Sequence, residues 1–391
     1  MDYKIVKLKE IADFNKESIG KNSNYEFINY LDTANITNGA IDTIVRMSVE
    51  EAPSRAKRIV HNNDIVYSTV RPNLCHYGIL DSPVENMIVS TGFTVISCKD
   101  DVNPYYVYNY LTQNDITSQL HSIAENSTSA YPSIKPSDLE NIEIKLPKLD
   151  IQNKIAKILT DIDKKIKINN EINNNLYEFA IKYLNEMQSD EEVTLSKFGK
   201  IQGGYAFKSK DLLDTKTNNR IIKIKNLRNE ISADVINSQF VVNEVIDKLD
   251  NKFKIKKGNV AIAMTGAELG KTGFIYGFDD YYLNQRVGLV RGIIKEKELY
   301  LNILLLSQEF QDLLNSKGYG SAQPNVSTAD IENITIQNIE DDDLMKFYEK
   351  VSPIYKKIIL NCEENLNLEQ LRDTLLPKLM NGEIDLDNIE L

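Results

Sequence analysis

Ser129-Ala130-Tyr131-Pro132-Ser133-Ile134-Lys135-Pro136-Ser137-Asp138-Leu139-Glu140-Asn141-Ile142-Glu143-Ile144 decides how the chain is organised, because a second version of it occupies residues 321–336. That version reads Ser321-Ala322-Gln323-Pro324-Asn325-Val326-Ser327-Thr328-Ala329-Asp330-Ile331-Glu332-Asn333-Ile334-Thr335-Ile336, and eight of 16 positions are identical at a constant offset of 192. The offset continues downstream, where Ile162-Asp163-Lys164-Lys165-Ile166 falls on Ile354-Tyr355-Lys356-Lys357-Ile358. Upstream the likeness is weaker. Val6-Lys7-Leu8-Lys9 resembles Val193-Thr194-Leu195-Ser196, and Asn63-Asp64-Ile65-Val66-Tyr67 resembles Gly258-Asn259-Val260-Ala261-Ile262. A period this long is not that of a solenoid of short repeats. It predicts two diverged copies of one domain, related by a pseudo-twofold.

The segments after each copy of the motif have the pattern of long helices. From Gln152 to Met187 there is no Gly or Pro. Apolar residues recur every seven, at Ile155, Ile162, Leu176 and Tyr183, with companions at Leu159, Ile166, Ile172, Phe179 and Met187. That is a coiled-coil seam with a polar outer face. The series is interrupted at Asn169. In the second half it reads Phe347, Ile354, Leu368, Leu375, interrupted at Asn361, the same repeat position. An antiparallel pair brings equivalent residues together at its symmetry centre, so Asn169 and Asn361 are expected to face each other and fix the register. Pro353 and Pro377 are expected to kink or bound the second helix. The remaining residues read as mixed α and β: β-branched runs such as Asp64–Tyr67, Val89–Ile96 and Asn259–Ala263 alternate with turns and with helical patches near Pro104–Gln119 and Lys297–Asn315.

The expected fold class is therefore α+β. It consists of two pseudo-symmetric mixed α/β domains, 1–147 and 191–340, separated by two long helices, 148–190 and 341–391, forming an antiparallel coiled coil with an acidic C-terminal tail. Hydrophobic content of 42% and charged content of 26% are those of a soluble globular chain. No run is long and apolar enough for a membrane span, and the N-terminus lacks signal-peptide features. Three widely spaced cysteines, Cys75, Cys98 and Cys362, suit a reduced cytoplasmic protein. The net charge of −11 argues against a uniformly basic nucleic-acid binder. The acidity is concentrated in residues 1–147 and 340–391, whereas residues 191–339 carry 20 Lys/Arg against 18 Asp/Glu. Local cations facing phosphates decide DNA affinity, and the whole-chain sum does not.

Searches for chemistry return little. Gly266-Ala267-Glu268-Leu269-Gly270-Lys271-Thr272 ends like a phosphate-binding loop, but only three residues separate the glycines, where that motif needs four. A Lys-bearing turn between two strands is expected instead, with an NTPase as the open enzymatic alternative. No aminomethyltransferase tetrad is present, the histidines His61, His76 and His121 lack metal spacing, and no nuclease cluster stands out. No metal and no cofactor is expected on the chain itself. Contact with nucleic acid has better support. Arg55, Lys57, Arg58 and Arg71 face only Asp64 across residues 52–77. Ser68, Thr69, Arg71 and Asn73 follow a strand and carry groups of the types that read base edges. Thr265, Lys271 and Arg286 are expected at comparable places in the second half. Lys252, Lys254, Lys256 and Lys257 form a run suited to phosphates, which position a protein without specifying sequence. Gln323 and Asn325, opposite Tyr131 and Ser133 in the repeat, enter the shared motif; Tyr205, Lys208 and Tyr319 complete the candidate set.

With these residues assembled, the chain resembles the specificity subunits of type I restriction-modification systems. The resemblance covers nearly all of it. It is carried by Asn63-Asp64-Ile65-Val66-Tyr67-Ser68-Thr69-Val70-Arg71-Pro72-Asn73, Gly258-Asn259-Val260-Ala261-Ile262-Ala263-Met264-Thr265-Gly266-Ala267, Asn284-Gln285-Arg286-Val287-Gly288, and the run Ile144-Lys145-Leu146-Pro147 leading through Gln152 to Leu159. Gln337-Asn338-Ile339-Glu340-Asp341-Asp342-Asp343 departs from the usual Leu-Pro entrance to the second helix.

The resemblance implies a non-catalytic subunit whose two domains are target recognition domains, each reading half of a bipartite asymmetric site in double-stranded DNA. The helices would set the unread spacer. DNA methyltransferase (modification) subunits would bring S-adenosylmethionine and flip the adenine; restriction/translocase subunits would bring ATP and Mg. The length suits a ruler: about 36 helical residues rise roughly 54 Å, about one and a half turns of B-DNA at roughly 34–36 Å. A methylation-only complex, or a coiled-coil scaffold whose ends bind protein, are the alternatives the sequence leaves open.

Overall fold

The structure, a computed structural model, describes residues 2–20, 25–127, 131–228, 231–317 and 325–386. The chain forms two compact units, residues 1–164 with 369–391, and residues 165–368, and both long helices contribute to each.

In the first unit, Tyr3–Lys7 pairs antiparallel with Glu143–Pro147. A four-stranded antiparallel sheet runs in the order Ala12–Phe14, Phe93–Cys98, Ile65–Ser68, Tyr77–Ile79. A second four-stranded sheet runs Val45–Ser48, Phe27–Leu31, Met87–Ser90, Ala56–Ile59, and only its central pair is parallel. The second unit repeats this order with one edge strand, Leu212–Leu213, added to the mixed sheet. Glu192–Thr194 pairs with Thr335–Gln337. Gly199–Gly203, Val287–Gly292, Val260–Ala263 and Thr272–Phe274 form the antiparallel sheet. Leu212–Leu213, Gln239–Val241, Arg220–Ile222, Tyr281–Leu283 and Lys254–Ile255 form the mixed sheet, again with a parallel central pair. The internal repeat is a repeat of topology.

The likeness of the two motifs has a physical cause. Asp138 and Asp330 accept hydrogen bonds from the backbone N–H groups of Lys135 (2.7 Å) and Ser327 (2.8 Å), capping the short helices Pro136–Glu140 and Thr328–Glu332. Leu139 and Ile331, Ile142 and Ile334, and Ile144 and Ile336 are all buried. The backbone N–H of Leu8 donates to the Ile142 carbonyl and that of Leu195 to the Ile334 carbonyl, both at 2.9 Å. This contact explains why Val6–Lys9 and Val193–Ser196 resemble each other. The other weak match is a turn. Asn63 and Gly258 both have positive φ, 65° and 81°, and the next residues, Asp64 and Asn259, accept from the backbone N–H of His61 and Lys256. Asparagine and glycine are the residues that tolerate this conformation.

The long helices span Leu149–Met187 and Asp341–Met380. The second helix continues through Pro353 and ends three residues beyond Pro377, so neither proline interrupts it. Both prolines are exposed, as is Glu349, whose carbonyl loses its partner at Pro353, so water can satisfy it. The atypical entrance works because Asp341, Asp342 and Asp343 lie in the first turn, where negative charge complements the helix dipole. Within each unit the two helices run antiparallel. In the first, the Arg372 guanidinium donates to Asp163 at 2.8 Å. In the second, Tyr183 stacks on Phe347 with ring centroids 6.3 Å apart.

The seam differs from the expected heptad after Asn169. The buried residues of the first helix include Ile151, Ile155, Leu159, Ile162, Asn169, Asn173, Ala180 and Leu184, whereas Ile172 and Phe179 are exposed. The buried face therefore advances closer to the natural helical period of 3.6 than to 3.5. The cause is that the helix also serves two cores. Ile151, Ile155 and Leu159 join the core of the first unit, and Ala180 and Leu184 that of the second. Asn169 and Asn361 are both buried, but they do not bond each other. Asn169 donates to Asn365 and Asn361 donates to Asn173, both at 2.8 Å. The repeat offset exchanges these two pairs. The symmetry centre thus lies between them, at Glu171 and Glu363, half a turn beyond the expected place.

Candidate nucleic-acid interface

In the first unit the strand Ile65–Ser68 leads into a loop whose backbone is strained at Arg71, with φ 48° and ψ 68°. Pro72 disfavours the right-handed helical region for the residue before it, and the left-handed conformation costs a non-glycine residue roughly 1–2 kcal/mol. The loop is held there from the outside. Val70 bridges Ser133, the Arg71 N–H donates to the Pro132 carbonyl (2.9 Å), and the Ile134 N–H donates to the Thr69 carbonyl (2.8 Å). The exposed Arg71 guanidinium lies 5.4 Å from the centre of the Tyr131 ring, itself 62% exposed. Strain concentrated at an exposed arginine is a feature of functional loops.

The other candidates of this unit adjoin the loop or support it. Ser68 is buried, and its hydroxyl donates to the Val70 carbonyl; the Thr69 hydroxyl donates to the Gly92 carbonyl. Both hydroxyls therefore shape the loop. Asn73 is exposed on the turn after Arg71. The Thr91 N–H donates to the Arg55 carbonyl, which carries the surface on to the Ala56–Ile59 strand. Arg55 forms an ion pair with Asp32, so the patch holds a carboxylate that residues 52–77 do not reveal. Lys57 is exposed. Arg58 is half-buried beside Ser18, and burial lowers its pKa from the usual arginine value.

In the second unit, Thr265, Arg286 and Asn325 come together with Met264 and Gln285 around a cleft of about 280 Å³. Thr265 bridges Asn325 as Val70 bridges Ser133 in the first unit. Arg286 is not the counterpart of Arg71, contrary to the sequence expectation. It lies in the turn Asn284-Gln285-Arg286 between Tyr281–Leu283 and Val287–Gly292, where the first unit has Thr91-Gly92. The two units thus supply their exposed guanidinium from different loops around the same bridge. Tyr205 sits beside this turn. It bridges Asn284, its carbonyl accepts from the Gln285 N–H at 2.9 Å, and its ring packs edge-on against Phe207 and Phe253. Gly204 permits the approach, since a Cβ there would meet the Asn284 carbonyl oxygen at 2.1 Å.

Several lysines stand apart from the cleft. Lys271 pairs with Glu268 in the turn Gly266–Thr272, which joins antiparallel neighbours Val260–Ala263 and Thr272–Phe274. A phosphate-binding loop needs a helix after the turn, and none follows here. Lys252, Lys254 and Lys257 face Asp250, Asp280, and Asp279 with Glu363, respectively. Exposed pairs of this kind are weak, so phosphates could compete for these lysines. Lys208 is exposed before the short turn Ser209–Asp211. Tyr319 and Gln323 lie outside the described residues. Among the described residues no group of three His, Cys, Asp or Glu could hold a metal ion, and no helix is long and apolar enough to cross a membrane.

The profile of the type I restriction modification DNA specificity domain matches residues 1–178 and again residues 188–369. The chain belongs to this family. Each copy of the specificity domain thus spans one globular part and part of a long helix. Among relatives, the chain is 23% identical over 438 residues to the type I restriction enzyme HindI specificity subunit of Haemophilus influenzae, covering 92% of this chain and 95% of that protein. It is 24% identical over 369 residues to the MjaIX specificity subunit of Methanocaldococcus jannaschii, covering 88% and 83%. The fold is shared with the crystal structure of a type I restriction-modification S subunit from M. genitalium, at 14% identity and a TM-score of 0.56, over 97% of this chain and 96% of that one.

Two features of the specificity-domain surface escape a reading by charge alone. Gln285 lines the cleft beside Arg286, and the signal for it was its side-chain type next to that arginine. The Tyr205–Phe207–Phe253 cluster forms only when residues 205 and 253 meet, a contact that no local pattern announces.

Proposed function

We propose that this chain is the DNA sequence-specificity subunit of a type I restriction-modification complex, that it binds a bipartite, asymmetric site in double-stranded DNA, and that it carries no catalytic residue. The observation that supports this reading best is the same strand order formed twice, with unlike side chains around the equivalent bridges Val70–Ser133 and Thr265–Asn325. One fold used twice offers two reading surfaces of the same kind. Arg71 over Tyr131 on one, and Gln285, Arg286 and Asn325 on the other, favour different bases. Their half-sites therefore differ.

In this reading the chain supplies binding and spacing, and partner subunits supply chemistry. Modification subunits hold S-adenosylmethionine and methylate an adenine in each half-site; restriction subunits hold ATP and Mg and work from the cytoplasm on incoming DNA. Two antiparallel helices give partners a rigid frame, and the spacer follows from helix length.

The test is selection of bound duplexes from a random library by the chain reconstituted with its modification subunits. Enrichment of two unlike specified stretches, divided by a fixed unspecified gap, supports the proposal. A single continuous or palindromic motif overturns the bipartite reading, and no enrichment returns the chain to a protein-binding scaffold.

A further inference from the structure

The turn between the parallel central strand and the antiparallel sheet differs in chemistry between the two units. In the first unit it is Thr91-Gly92; in the second it is one residue longer and carries Asn284-Gln285-Arg286. Three backbone bonds pin the longer turn. Gln285 N–H donates to the Tyr205 carbonyl (2.9 Å), Met264 N–H to the Arg286 carbonyl (3.1 Å), and Val287 N–H to the Asn284 carbonyl (2.9 Å). The side chains of Gln285 and Arg286 are exposed and line the same cleft as Thr265 and Asn325. Among the described residues no carboxylate lines that cleft.

A phosphate offers only acceptors, so it uses cations and the donor half of an amide and leaves the amide oxygen idle. A base-reading surface uses a guanidinium, which is bidentate to guanine O6 and N7, and an amide, which is bidentate to adenine N6 and N7. Neighbouring glutamine and arginine on one pinned turn supply both, with their orientation fixed by the backbone before DNA arrives. Resting on the specificity-subunit reading above, we propose that Gln285 is a specificity determinant of the second unit. Its amide pairs with an adenine edge in the major groove beside a guanine read by Arg286. The second half-site accordingly contains adjacent guanine and adenine on one strand, and the first unit, with Thr91-Gly92 at this place, has no counterpart to that contact.

The experiment is sequencing of methylated adenines in cells carrying the complete complex with wild-type chain, Q285A or Q285E. Q285A is expected to relax one A·T position of one half-site, lowering discrimination there by about 10- to 100-fold, with the other half-site and the gap unchanged. The unchanged half-site shows that the variant folds and assembles. Q285E keeps an acceptor and removes the donor, so it is expected to shift preference at that position toward cytosine, whose N4 group donates. A Q285A motif identical to wild type, or methylation lowered evenly with the motif intact, overturns the assignment of Gln285 alone. A wild-type complex without a bipartite motif overturns the specificity-subunit reading and this assignment with it.

Discussion

Asn169 donates a hydrogen bond to Asn365 at 2.8 Å across the paired helices, and its repeat counterpart Asn361 donates to Asn173 at the same distance. These four buried amides lie midway along the paired helices, and each makes at least one hydrogen bond to the facing helix. Sliding either helix by a turn would leave them unpaired. Buried polar residues of this kind specify register at a cost in stability.

That cost can be measured. Asn361→Leu removes one partner and leaves the Asn173 carbonyl oxygen buried without its donor, which should destabilise the chain by about 1–3 kcal/mol. Replacing both Asn173 and Asn361 by Leu should recover most of that loss. Urea denaturation of wild type, Asn173→Leu, Asn361→Leu and the double variant checks this; a double variant as unstable as the sum of the singles would show that the pair is not a unit.

Arg71 combines a strained backbone with an exposed guanidinium, so substitution can separate the two. Arg71→Gly relieves the left-handed strain and should leave stability unchanged or raised by about 1 kcal/mol. The same variant should lose recognition in one half-site only. Thermal melting and duplex selection together check the pair of outcomes; equal loss on every sequence would make Arg71 a phosphate contact.

The helices predict a ruler. Removing about seven residues from each helix, equivalent to roughly 10 Å of rise, should shorten the unread spacer by about three base pairs, at 3.4 Å per step along each strand, or abolish binding, with both half-sites intact. A changed half-site with an unchanged spacer would refute the ruler. Duplex selection with the shortened chain decides.

Alkaline pH should weaken the fold. Burial, and then the Asp64 carboxylate, push the Cys98 thiol up to about 12; burial likewise raises the Tyr67 and Tyr300 hydroxyls to about 12. These groups bind protons more tightly when folded than when unfolded. Their contribution is therefore complete below about pH 9, where the unfolded thiol begins to ionise, and declines as pH rises toward 12. The urea midpoint should be level from pH 7 to 9 and fall by pH 11. A level midpoint throughout would contradict the assignment, as would rapid alkylation of Cys98 in the native chain at pH 8.

The duplication and the long helices were legible in the sequence because their causes are local and periodic. Capping aspartates and buried isoleucines recur at one offset, and a helix declares its buried face every turn. What the sequence did not disclose depends on contacts between distant segments. The shift of the seam after Asn169 follows from Ala180 and Leu184 entering a globular core. The tolerance of Pro353 depends on the face it occupies. The placing of Arg286 opposite Thr91-Gly92, instead of opposite Arg71, follows from strand pairing, which no charge pattern encodes. The partial neutralisation of Lys254 and Lys271 by Asp280 and Glu268 likewise became visible only in three dimensions.

The central claim is that two unlike reading surfaces on one duplicated chain address a single split target. Its most direct test is genome-wide sequencing of methylated adenine in host cells with and without this gene. Loss, on deletion, of one motif made of two different stretches at a fixed separation is the predicted result. An unchanged set of methylated motifs, or loss of an uninterrupted symmetric one, would contradict it.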